Sequence, residues 1–263
     1  MKILYLLVIL LSTNFIFSQN VIVEYNSIEN TNDAVLATNS KYTLIVKDYE
    51  SIYFNIADSL KQFKYDKFIM NSKKIGELIQ VQFSDNQFGF LKQDLLYKGY
   101  EKDTMIFNEI LLNKKVIVGE NIQLFNWEIV PKTDTLILKY RCQKAISKFR
   151  GRNYEAYFSS ELANGGGPWK FHGLPGLILY VRSLDNYYVI KPTKIISNSK
   201  ISDEIFNVYK NEKIISWKVF KSLFKKKLEE QLKVLQSKSE DGEGGSIKIT
   251  DKVEDLEISE MKF

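Results

Sequence analysis

Between Val21 and Val130 the chain has no proline, and run after run alternates apolar with polar residues. That period of two fits strands and little else. In "LIQVQFS", Ile79, Val81 and Phe83 fall on one face, and Gln80, Gln82 and Ser84 on the other. "YTLIVKD", "SIYFNIA" and "TMIFNEILL" are similarly rich in β-branched and aromatic residues, with Asn, Asp or Gly between them. No ten-residue helical pattern intervenes, so an antiparallel sheet is expected rather than βαβ units.

The first eighteen residues read differently. Met1–Lys2 precedes an apolar run that ends at Ser18, the pattern of an export signal cut near Ser18–Gln19. The run is shorter than the roughly 20 apolar residues that cross a bilayer. No cysteine stands just after it, which excludes lipid attachment there, and no later segment is apolar enough to be transmembrane in the mature chain. An exported protein of the periplasm or medium is expected. The formal net charge of +5 is too modest for a nucleic-acid partner. Cys142 is the sole cysteine, so no internal disulfide can form and packing must supply stability.

All four prolines fall between 131 and 192. Here "LILKYRCQK" alternates, with Leu138, Tyr140 and Cys142 facing one way, and "NYEAYF" repeats the pattern. "KFRGR" between them supplies a turn at Gly151, giving a hairpin. "LILYVRS" and "NYYVIKPT" are two further strands. One helix is expected at 216–236: Ser216 is a plausible N-cap, and Trp217, Phe220, Phe224, Leu228, Leu232 and Leu235 form a stripe at helical spacing. Its lysines lie mostly off that stripe, which favours a helix packed on a sheet over a membrane-surface helix. The organisation expected is a leader at 1–18, one β-rich domain over 19–236, a Gly–Ser–acidic linker at 237–246, and an edge strand within 247–263.

The glycine-rich stretch "GGGPWKFHGLPGLILYV" from Gly165 to Val181 is the candidate for chemistry. It is no phosphate loop: Pro168 removes an N–H where a donor is needed, and no Lys–Ser/Thr follows. One Cys and one His are too few for a structural zinc site, and "EDGEGG" lacks EF-hand spacing, so no metal and no cofactor are expected. A Cys142–His172 nucleophilic pair is conceivable. Cys142, however, falls on an apolar strand face, where a thiol serves as a small hydrophobe. Leu174–Pro175–Gly176–Leu177 fits a type II turn, with Gly176 at positive φ. Trp169 and Phe171, two apart in an extended segment, would share one face. Arg150 and Arg152 on the hairpin turn would add a basic rim for a ligand with an acidic head. The alternative is that the aromatic pair only plugs the core.

Gly173–Leu174–Pro175–Gly176–Leu177–Ile178 is, letter for letter, the signature that names the GLPGLI family of exported Gram-negative envelope proteins. The similarity extends through Trp127, Asp134–Thr135, Tyr140, Cys142–Gln143–Lys144–Ala145, Phe149–Arg150–Gly151–Arg152, Tyr154, Ala156 and Gly167–Pro168–Trp169–Lys170–Phe171. It is strong over about 120–195. Lys139 and Tyr157 depart from the family's usual Gly and Trp. The resemblance implies an exported β-rich protein and no established activity.

The expected fold is mainly β: a curved antiparallel sheet, half-barrel and lipoprotein-carrier-like, with the helix on its concave face. The expected function is non-enzymatic binding of a lipid or peptide ligand in a β cavity. The alternatives are an accessory protein docking an outer-membrane receptor or secretion component through a β edge, and a Cys–His hydrolase.

Overall fold

The computed structural model describes residues 20–30, 38–55, 72–75, 78–83, 95–111, 114–162, 165–197, 201–237, 246–249, 253–256 and 260–262. The leader and the centre of the expected linker, 238–245, lie outside them. The strands are β1 (Val21–Glu29), β2 (Thr38–Lys47), β3 (Glu50–Asn55), β4 (Ser72–Ile75), β5 (Leu78–Phe83), β6 (Leu95–Gly99), β7 (Thr104–Leu111) and β8 (Lys114–Asn121). There follow β9 (Glu128–Ile137), β10 (Tyr140–Phe149), β11 (Arg152–Ser159), β12 (Leu177–Ser183), β13 (Tyr188–Ser197) and β14 (Ile214–Ser216). Helix α1 (Trp217–Gln236) precedes β15 (Ser246–Ile249) and β16 (Glu260–Lys262).

Twelve strands form one curved, open sheet in the order β14-β8-β7-β6-β3-β2-β1-β13-β12-β11-β10-β9. The mainly β architecture with a single C-terminal helix is therefore as the alternation requires. Every pairing in the large sheet is antiparallel except β14 with β8, which is parallel. β1 joins the two halves by pairing with both β2 and β13. Its alternation is visible in burial, with Val21, Val23 and Tyr25 in the core. The Tyr25 hydroxyl, which a buried ring must satisfy, donates to Ile178 O at 2.9 Å.

The helix caps where expected: Ser216 Oγ accepts from the Val219 N–H at 3.3 Å. Phe220, Phe224, Leu228 and Leu232 are all buried in the same core as the sheet's inner residues, while Lys218, Lys225 and Lys226 are exposed. The side chain of Leu235 lies outside the described residues. No helix among them is long and apolar enough to cross a membrane.

Three local expectations are corrected. "LILKYRCQK" is not one strand: Leu138 turns at φ +55 and is half exposed, and Tyr140 pairs back with Ile137 across a two-residue hairpin. "LIQVQFS" leaves the main sheet and forms part of a second, four-stranded one, ordered β16-β15-β5-β4. The 247–263 stretch does not add a single edge strand. It supplies β15, interior and parallel to β5, and β16 at that sheet's edge. Short alternating runs leave register and partner open, and only tertiary pairing closes the choice.

Candidate functional site

The Gly165–Gly176 loop is held from within by Lys98, which projects from β6. Lys98 has no exposed surface, and its ammonium donates to the carbonyls of Gly167 (2.6 Å), Trp169 (2.8 Å) and Phe171 (3.0 Å). Burial without a carboxylate partner holds its pKa well below the usual lysine value. The glycine run lies against the loop's own exit: Gly173 N–H bonds to Gly165 O and Ile178 N–H to Gly166 O. A Cβ on Gly167 would stand 2.8 Å from both Ile178 Cβ and Phe171 O, so the run is a close backbone approach and not a phosphate cradle.

The turn at the signature also differs from expectation. Gly176 N–H bonds to Leu174 O at 2.8 Å, a three-residue turn about Pro175, whereas Leu177 N–H goes to Leu162 O. Gly176 does have positive φ, +150, and any Cβ there would collide with the backbone of Ser159. Leu177, Ile178 and Leu179 then enter the core with no exposure.

A second turn decides where the aromatic pair goes. Phe171 N–H bonds to Pro168 O at 3.1 Å, with Trp169 at φ +46, so the segment is bent and the rule for extended residues does not apply. Trp169 and Lys170 occupy the tip, while Phe171 leaves it for the core, fully buried against Tyr154 and Phe125. The single aromatic face expected of Trp169 and Phe171 is therefore not formed. Their rings are 5.1 Å apart and tilted by 58°.

Lys170 is the centre of a charged cluster. It is 1% exposed and donates to both oxygens of Glu254, at 2.7 and 2.9 Å, with Glu109 and Glu120 each 3.9 Å away. Its ammonium also lies 3.7 Å from the Phe107 ring centre and 4.7 Å from that of Trp217. Arg150 turns at φ +39 beside Gly151 and bridges Glu120 (2.5 Å) and Glu254, with its guanidinium 3.9 Å over Trp217. The two cations hold the Glu254 carboxyl below its ordinary pKa in spite of its burial. Glu120 goes the other way: burial and the neighbouring Glu254 charge raise it against the pull of Lys170 and Arg150. One of its oxygens, Oε1, is buried with no hydrogen-bond partner.

Lys170, Glu109 and Glu254 of this cluster also line a pocket between the sheet, α1 and the 253–256 segment. The concavity measures about 750 Å³, open solvent at its mouth included. Its aromatic walls are Tyr42, Tyr53, Phe107, Trp169, Tyr188, Trp217 and Phe220. Among the expected site residues, only Trp169 lines this pocket. Arg150 contributes from behind, already paired. Arg152 points elsewhere, to Asp185 and over the Tyr187 ring, so the expected basic rim of two arginines is not assembled. Residues two apart diverge here because they straddle a tight turn.

Cys142 and His172 have separate partners. The buried thiol lies 3.5 Å from Tyr140 O, and burial pushes its pKa up to about 11. His172 Nδ1 meets Lys170 O at 2.9 Å, and burial together with Lys98 lowers its pKa to about 4. A thiol held protonated at neutral pH is a poor nucleophile. Among the described residues no group of three or more His, Cys, Asp and Glu side chains is placed to hold a metal ion.

Lys98, Glu109, Glu120 and Glu254 were not singled out by sequence. Lys98 alone leaves a trace, as the one charge inside the apolar run "LLYKGY".

No family model matches the chain, and neither does any curated protein. Among solved structures the fold is similar to that of PNGF-II in two crystal forms, with TM-scores of 0.53 and 0.50 at 15% identity. The match covers 79% of this chain and 33% of PNGF-II. At that identity the likeness is one of fold, and this chain spans about a third of the length of PNGF-II.

Proposed function

We propose that this chain is an exported, non-enzymatic envelope protein that holds an apolar or peptide ligand in the pocket of its curved sheet, and that it belongs with proteins bearing the Gly173–Ile178 signature. One observation carries the reading. Seven aromatic side chains line a concavity whose one lysine, Lys170, is already paired with Glu254, a combination suited to retaining a ligand by ring contact. Catalysis would ask for an activated group aimed at the opening, and the two candidates, Cys142 and His172, are buried with other partners.

Docking through a sheet edge has less support. Among the described residues β9 is one edge of the large sheet; it carries Pro131 and Lys132 at φ +58, and its pairing with β10 breaks register between Cys142 and Lys144, all devices that discourage strand addition. Native mass spectrometry of protein recovered from the cell envelope should detect a bound small molecule or peptide. Trp217→Ala, checked for folding by circular dichroism, should lose it. An unliganded mass in the wild type, with no change in tryptophan fluorescence on adding the envelope extract, would refute the proposal.

A further inference from the structure

We infer that the slot formed by Lys170, Arg150 and the rings of Phe107 and Trp217 is a receptor for a short acidic peptide of apolar–Glu–x–apolar pattern, and that Val253–Leu256 occupies it as the chain's own stand-in. The inference rests on the pocket being a ligand site and names the ligand class.

The segment is seated as a bound peptide is. It belongs to no strand ladder. Asp255 N–H donates to Arg150 O at 3.0 Å, and Val253 O accepts from the Tyr154 hydroxyl at 3.3 Å. Val253 and Leu256 are 6% exposed each and line the pocket, while Asp255 between them faces solvent. Glu254 reaches two cations at once, the strongest arrangement a carboxylate can find here.

Charge makes this carboxylate exchangeable. With Glu254 in place, two cations face three carboxylates: Glu109, Glu120 and Glu254. Without it, two face two. Lys170 has Glu109 and Glu120 at 3.9 Å, and Glu120 Oε1 is buried without a partner, so departure of Glu254 leaves a standby acceptor for the ammonium. A carboxylate from a second peptide meets the same two cations at the same balance. Tyr42, Tyr53 and Tyr188 line the same pocket as the segment.

The test uses the full chain and a fluorescent acetyl-Val-Glu-Asp-Leu-amide probe. In the wild type the tethered segment competes at an effective concentration on the order of millimolar, so the probe binds weakly. Full-length V253S/E254Q/L256S should bind it about 10-fold tighter or more. The same probe with Gln for Glu should lose that gain. Should the triple variant not fold, E254Q alone, which keeps both apolar plugs, decides by the same comparison. A folded variant that binds the probe no tighter than wild type overturns the inference, and so does equal binding of the Glu and Gln probes. If that happens while the adduct sensitive to Trp217→Ala persists, this inference falls and the ligand-binding reading stands.

Discussion

Lys98 and Lys170 meet at one loop, both shut away from water, yet their partners differ in kind. Lys98 is satisfied by three backbone carbonyls, which cannot move unless the loop unfolds. Lys170 is satisfied by side-chain carboxylates, of which one is in contact and two stand nearby. The first arrangement has one solution and the second has several. A buried charge locked to backbone is architecture, whereas a buried charge among alternative carboxylates beside a pocket can change partners. Loop and pocket are thus joined through a single segment, with the rigid lysine behind it and the adaptable one at its tip.

The comparison breaks most directly by removing each ammonium. Lys98→Met strips the donor from three carbonyls, two of them in buried hydrogen bonds, and should cost about 3–5 kcal/mol in urea unfolding. Lys170→Met should cost less, roughly 1–3 kcal/mol, because Arg150 still holds Glu254 and Glu120. It should instead weaken retention of the pocket adduct. Equal losses of stability would make the Lys170 cluster architecture too.

Sequence made one half of this legible and hid the other. Alternation marked the strands, and Ser216 with its apolar stripe marked the helix, because burial on one face imposes a period that needs no knowledge of partners. The Gly176 requirement was also readable, since positive φ and a close backbone leave few other residues. What could not be read is which distant chain positions converge. Glu109, Glu120 and Glu254 are ordinary acids on two strands and a C-terminal segment, and their meeting at Lys170 exists only after the sheet has curved. Trp169 misled for a local reason: the Pro168–Phe171 turn reverses the chain, and a rule for extended backbone then assigns the wrong face.

The rigid side can be sharpened with pH. His172 sits beside Lys98 with its pKa lowered from 6.5 to about 4, chiefly by burial. The unfolded chain takes up a proton below about 6.5 while the folded chain stays neutral until about 4. The stabilisation this group provides is therefore full above pH 6.5, falls between 6.5 and 4, and is exhausted below. The loss should reach about 3 kcal/mol at most. His172→Gln should flatten that window in unfolding curves taken from pH 7.5 to 4, relative to the wild type. A wild-type slope that survives the substitution would place the sensitivity elsewhere.

The smallest effect is expected from the arginine that sequence spacing grouped with Arg150. Arg152 begins β11 one residue beyond Gly151, and its guanidinium reaches Asp185 and lies 4.0 Å over the Tyr187 ring. The Asp185 side chain is 50% exposed, so water screens the pair. Pairs of this kind contribute about 0–1 kcal/mol. Arg152→Gln should therefore shift unfolding by about 1 kcal/mol or less and leave both the pocket adduct and probe binding unchanged. Arg150→Gln should change all three, since it removes the cation shared by Glu120 and Glu254. If Arg152→Gln abolished the adduct while the fold held, the ligand would extend round the hairpin to the Asp185 side. The boundary between the adaptable pocket and its rigid surroundings would then lie further out and include that turn.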